Sequence, residues 1–147
     1  FPQASPLVLA AERTFWEKAT AAHVYCRQGR LRGERYARHW YDLAALTRST
    51  HYGAAVDDHA LALQVAQHKT MFFAEKDAAG NWIDYTQAVS GGLQLIPTGE
   101  SLIALERDYA AMLDDGLLSS GQPRFAELME KCRTIEDRVH TARRVAP

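Results

Sequence analysis

The chain has 147 residues, of which 47% are apolar and 24% charged, the proportions of a soluble globular chain of one domain. That excludes a disordered tail, a collagen-like repeat and a disulfide-dense mini-protein, and no apolar run reaches the ~18–20 residues that span a bilayer. Charge is nearly balanced, 17 Lys+Arg against 18 Asp+Glu, yet residues 1–50 hold 8 basic and 4 acidic side chains and the remainder 9 and 14.

Along the chain, Leu7-Val8-Leu9-Ala10 reads as a short extended segment. A first helix is predicted over residues 12–28, with Phe15, Ala19, Ala22 and Cys26 at helical spacing and Gly29 as its stop. Thr14-x-x-Glu17 has the form of a capping box inside that start. An arginine-rich connection follows, and the positive excess centres on Arg27, Arg30, Arg32, Arg35 and Arg38. Such a cluster is either a solvated face or a surface for an acidic partner. A second helix is predicted over 34–48, with Tyr36, Trp40, Leu43 and Thr47 on one face and Arg35, Arg38, His39 and Asp42 on another.

A third helix follows Asp57-Asp58, read as a helix start, and runs to about residue 73 with Leu61, Val65, His68 and Phe72 as its stripe. Residues 74–91 read as loop. Leu93–Ile96 is either a lone strand or an extended connector ending at Pro97. A fourth helix runs from Thr98 to about Gly116, and a fifth starts near Pro123 with the cleanest stripe of all: Phe125, Leu128, Met129, Cys132, Ile135 and Val139. The fold expected is all-α: a single domain over 1–147, a bundle of about five helices with at most one minor strand. Phe15, Leu43, Leu61, Phe72, Leu105, Tyr109, Phe125, Leu128, Met129 and Ile135 are the expected core.

The chain contains no phosphate-binding glycine loop, no HExxH and no GxSxG. It also has no DxD pair of the kind that holds catalytic magnesium. The adjacent acids Asp57-Asp58 and Asp114-Asp115 point about 100° apart on a helix and do not share a metal there. His39-x-x-Asp42 brings two donors together, but two ligands are not a site, so no metal is expected on this chain. Taken alone, Arg38 and Asp42 make a surface ion pair, Lys18 a snorkelling lysine and His68-Lys69 a dipole-friendly helix end. Cys26 and Cys132 lack a CxxC partner and read as reduced, buried thiols of a cytoplasmic protein. The first residues, Phe1 to Pro6, lack the pattern of a signal peptide.

Glu12-Arg13-Thr14-Phe15-Trp16-Glu17-Lys18 and Arg35-Tyr36-Ala37-Arg38-His39-Trp40-Tyr41-Asp42-Leu43 carry more than composition does. Together with His68-Lys69-Thr70-Met71-Phe72-Phe73, Gly92–Pro97, Asp108-Tyr109 and Pro123–Leu128 they resemble the AbiEii family, nucleotidyltransferase-like toxins of type IV toxin–antitoxin systems. In that family an N-terminal half with a Gly-Ser motif and a DxD pair binds nucleotide and magnesium. A helical C-terminal half supplies a lysine and an aspartate. The resemblance puts these roles on Lys18 and Asp42. His39 stands where the family's fourth motif has its first aspartate, and Arg38 where it has a lysine.

It further implies that residues 1–147 are the helical half of a larger nucleotidyltransferase, inactive alone. Arg32, Arg35, Arg38 and His39 would face nucleotide or RNA. The whole protein would use a nucleoside triphosphate with magnesium, neither held tightly by these residues alone. Its partners would be an antitoxin and transfer RNA. The competing reading is a non-enzymatic all-α module that binds an antitoxin or another protein. If the roles transfer, Lys18 and Asp42 project to the same side of the first two helices, near residues 7–10, where the other half would dock.

Overall fold

The computed structural model describes residues 6–116 and 121–145. Seven helices fill it: α1 Pro6–Gln28, α2 Arg38–Leu46, α3 Tyr52–Asp57, α4 His59–Phe72, α5 Tyr85–Val89, α6 Gly99–Asp114 and α7 Phe125–Val145. Among the described residues the only β pairing is a single bridge, Lys76 with Trp82. The all-α architecture expected from the periodicities is the one found.

Helix α1 is the axis of the molecule. Phe15, Trp16, Ala19, Thr20, Ala22, His23, Val24 and Tyr25 are all buried, so most of its circumference faces protein. It packs against α2, α3, α4 and α5, while α7 closes over α2 and α3. Alanines at 19 and 22 let neighbouring helices approach closely. Trp16 binds α3 through its indole N–H, which donates to the Ala55 carbonyl at 2.8 Å. The helix stops at Gly29, whose φ of 76° suits the left-handed turn and whose N–H returns to the Tyr25 carbonyl at 2.7 Å.

Residues 7–10 are helical and belong to α1; they are not the expected extended segment. With the helix starting at Pro6, Thr14-x-x-Glu17 lies inside it and caps nothing. Glu17 instead pairs with Arg13 one turn back, at 3.0 Å.

Helix α2 starts at Arg38, four residues later than the pattern implied. The cause is Asp108, a buried carboxylate on α6, which accepts the backbone N–H of Arg35 at 2.8 Å and of Ala37 at 2.7 Å. Arg35 is held at φ 64°, a conformation a helix excludes. The segment expected as loop, 74–91, contains α5, capped by Asp84 through the Gln87 N–H. Asp58 caps α4 by accepting from Leu61 N–H at 3.0 Å, as the Asp57-Asp58 pair implied.

Leu93–Ile96 is the extended connector, not a strand. Leu93 and Leu95 are buried, so the backbone beside them needs partners. Side chains supply them: Gln94 N–H donates to His23 Nδ1 at 3.0 Å, and Leu95 and Ile96 N–H both donate to Glu136 Oε2. The Leu95 carbonyl accepts from Trp40 Nε1 at 2.7 Å, and the Leu93 carbonyl meets His140 Nε2 at 3.1 Å.

The core expectation holds at Phe15, Leu43, Leu105, Tyr109, Leu128, Met129 and Ile135. It fails at Phe72, which is 65% exposed, and is half met at Leu61 and Phe125, which are partly buried. Helix α4 buries Ala62, Val65 and Ala66, a face of small residues that seats it against α1, and leaves His68 and Phe72 outside. Cys132 is fully buried, Cys26 only partly, and both thiols are free.

Candidate functional site

Lys18 lies in the middle of α1 and Asp42 one turn into α2, and the packing of these helices brings their side chains together. Lys18 Nζ is 3.2 Å from Asp42 Oδ2, with both side chains about a quarter exposed. Arg38, one turn before Asp42, approaches its other oxygen at 3.9 Å from the solvent side. Asp42 therefore faces two cations, one from its own helix and one from α1.

His39 shares this face. It is half-buried, its ring lies edge-on to Tyr36 with centroids 4.6 Å apart, and its Nδ1 is shielded from solvent without a hydrogen-bond partner. Burial first, then the ammonium of Lys18, push its pKa down to about 4; Asp42 opposes the shift and Lys69 adds to it. At neutral pH the ring is an uncharged hydrogen-bonding group between two lysines.

Lys69 reaches the same face from α4. Its ammonium stands over the Phe73 ring, 5.1 Å from the centroid, and desolvation lowers its pKa. Beyond it runs a groove of about 130 Å³ between α1, the segment leading into α2, the end of α4 and the start of α5, lined by Ala21, Val24, Arg32, Tyr36, Lys69, Phe73, Glu75 and Tyr85.

The other arginines do not gather here. Arg32 is bound by Glu75 at the far end of the groove, and Arg35 turns toward α6, where Asp115 holds it. Of the six residues singled out from the sequence, the structure groups Lys18, Arg38, His39 and Asp42, leaves Arg32 at the far end of the adjoining groove and sends Arg35 to Asp115.

Two contributors escaped the sequence reading. Asp108 fixes the chain entering α2 and so the position of His39 and Asp42; the available signal was its spacing, one turn after Leu105 and next to Tyr109 on the inward face. Lys69 reads in the sequence as a basic helix end, although it falls beside the packed α4 face at i+3 and i+4 from Ala66 and Val65.

A larger polar pocket of about 400 Å³, lined by His23, Arg27, Asp77, Trp82 and Gln87 among others, opens on the opposite side of α1. Residues 18 and 27 are half a revolution apart on that helix. Among the described residues no three His, Cys, Asp or Glu side chains are grouped to hold a metal ion. No described helix is long and apolar enough to cross a membrane.

Residues 1–131 match a family model described as nucleotidyl transferase AbiEii toxin, type IV TA system. No curated protein and no solved structure matches the chain at a significant level.

Proposed function

We propose, for a chain that belongs to the AbiEii family of nucleotidyl transferase toxins, that Lys18 and Asp42 form the helical side of a nucleotidyl-transfer centre. A type IV toxin–antitoxin family implies an antitoxin as partner. In this reading the whole protein transfers a nucleotide from a nucleoside triphosphate to an acceptor such as transfer RNA. Residues 1–147 supply the lysine–aspartate half, and the Gly-Ser and DxD motifs lie outside them. The observation that carries the reading is the 3.2 Å approach of Lys18 Nζ to Asp42 Oδ2 across two helices.

The chemistry suits those groups. Nucleotidyl transfer concentrates negative charge on the transferred phosphoryl oxygens, and an ammonium fixed beside them stabilises the transition state. Asp42 orients Lys18 and, at the moment of attack, is placed to accept the proton of the acceptor hydroxyl. Arg38, on the solvent side, adds positive potential where a polyanion approaches.

Magnesium does not fit these residues. It takes several oxygen ligands in octahedral array, whereas Asp42, the carboxylate at Lys18, is already paired with that ammonium and no three His, Cys, Asp or Glu side chains group here among the described residues. When bound in the whole protein, the metal would neutralise phosphate charge from the DxD side. The contribution of residues 1–147 is a cation, a proton acceptor and the helices that hold them, and alone they are inactive.

The test is labelled-nucleotide transfer by the full-length protein, with and without transfer RNA. Lys18→Ala and Asp42→Ala each lower transfer by at least about a hundredfold, the scale of losing one transition-state contact. Full activity in both variants would overturn the assignment. A second reading, a non-enzymatic module that binds protein, draws on the exposed row Met71, Phe72 and Phe73 at the end of α4. Unaltered antitoxin binding together with no transfer by the wild-type full-length protein favours that reading.

A further inference from the structure

Lys69 is the lysine of this face that has no ion-pair partner among the described residues. Lys18 is held by Asp42, Arg32 by Glu75, and Arg13 by Glu17. Lys69 is half-buried, yet no carboxylate lies within 4 Å of its ammonium among the described residues. Its near contact is the face of Phe73, which steadies a cation without neutralising it. Desolvation lowers the ammonium's pKa; the nearby charge of Glu17 opposes the shift but is itself held by Arg13, which adds to the shift. An ammonium partly removed from water without a direct ion-pair partner is a costly arrangement, and a ligand that brings an anion into contact relieves it.

Space exists for such a ligand. The groove of about 130 Å³ opens directly at Lys69, with the hydroxyl-bearing rings of Tyr36 and Tyr85 on its walls, and its one carboxylate, Glu75, is paired with Arg32. His39 stands beside it, uncharged, with Nδ1 unpartnered. A neutral imidazole between two ammonium groups adds a hydrogen-bonding atom without further positive charge. Lys18, His39 and Lys69, from three different helices, thus converge on one open face.

We propose that Lys69 is a second phosphate-binding cation of the Lys18–Asp42 face, taking a phosphate group that extends from Lys18 along the groove beside Phe73. The inference rests on the nucleotidyl-transfer reading for what Lys18 binds, but Lys69 has its own geometry. Phosphate is the shared chemistry of two sources, the triphosphate of the incoming nucleotide and the backbone of an RNA acceptor.

The experiment measures binding of inorganic triphosphate, and separately of a short single-stranded oligoribonucleotide without terminal phosphate, to the full chain by calorimetry at low salt. Lys69→Ala weakens one of them about tenfold, the scale of one charge-assisted contact, and which one identifies the source. Lys69→Arg keeps most of the affinity, and Arg124→Ala, at an exposed arginine that precedes α7 and pairs with Glu127 of its first turn, changes neither. A side-chain NMR titration of Lys69 excludes a merely structural role: the bound anion raises the ammonium's pKa from its lowered starting point. Loss of affinity in Lys18→Ala but not in Lys69→Ala overturns this inference and leaves the nucleotidyl-transfer reading intact. Loss in Lys69→Ala but not in Lys18→Ala supports Lys69 and removes Lys18 from the reading. No binding of either probe by the wild-type chain overturns the inference outright.

Discussion

His23 and His39 have their pKa values pushed down to about 4 by burial, and the molecule uses them in opposite ways. His23 accepts the Gln94 N–H and is one of several side chains that replace a missing strand partner for residues 93–96. Trp40, Glu136 and His140 complete that work, so each polar side chain there ends on a backbone group. Around His39 the pattern inverts. Among the described residues the side chains of Lys18, His39, Asp42 and Lys69 make no hydrogen bond to the backbone. Polar groups consumed by the backbone hold the fold, whereas polar groups collected on an open face without that task are free for a ligand. The comparison separates structural from functional candidates without reference to residue type.

The largest effect should come from the structural class. Asp108 accepts two backbone N–H bonds from the segment entering α2 and is nearly buried. Hydrogen bonds to a charged group contribute about 1.5–3 kcal/mol each, so Asp108→Ala should cost roughly 4 kcal/mol in denaturant unfolding. Asp108→Asn, which retains one acceptor oxygen, should recover part of it. A cost below about 1 kcal/mol would mean that the loop before α2 is set by something else.

The next effect is acid sensitivity. Burial keeps His23 neutral in the folded chain down to about pH 4, whereas the unfolded chain takes up that proton near 6.5. The unfolded state therefore binds the proton first as pH falls. Stability is complete above about pH 6.5 and falls toward pH 4, by about 3 kcal/mol for His23 alone. Unfolding curves across that range should show the loss, and His23→Gln should flatten the profile. NMR titration of the His23 ring with a midpoint near 6.5 would refute the account.

Much of this was legible in the sequence. The stripes of α1, α6 and α7 placed Phe15, Leu105, Tyr109, Leu128 and Ile135 correctly, because long amphipathic helices repeat the same signal over several turns. The Lys18–Asp42 approach was expected from a family resemblance; spacing alone left each residue an ordinary surface charge. What could not be read depends on tertiary partners. The late start of α2 follows from a carboxylate 71 residues away on α6. The short α5 is too brief to show a period. The true face of α4 is marked by alanines, which carry little hydrophobic signal.

The functional class predicts a different balance between stability and binding. Lys18 and Asp42 form a pair about a quarter exposed, and such pairs contribute roughly 0–1 kcal/mol. Lys18→Ala should therefore leave the unfolding midpoint almost unmoved. Asp42 keeps Arg38 nearby, so its charge is not left unpartnered. The same variant should remove most transfer activity from the full-length protein. A Lys18→Ala chain that loses 3 kcal/mol or more would place Lys18 with Asp108 and His23, among the groups that hold the fold.

The smallest effect tests α4, the helix that carries Lys69 to the open face. Seven residues at 100° each bring position 72 back to within about 20° of position 65, so Phe72 lies on the same stripe as Val65, and only a partner along the whole length of α4 would bury both. Phe72 is the last residue of α4, where the neighbouring packing has ended, and it remains 65% exposed. Phe72→Ser should change stability by no more than about 0.5 kcal/mol, the range of surface substitutions. Val65→Ala, on the buried face, should cost about 1–3 kcal/mol by leaving a cavity against α1. Comparable costs for the two variants would mean that the packing against α4 continues through its last turn, past Lys69. The expected disparity, with polyphosphate binding retained in Phe72→Ser, places the end of the packed face of α4 between Val65 and Phe72, which leaves Lys69 at its open edge.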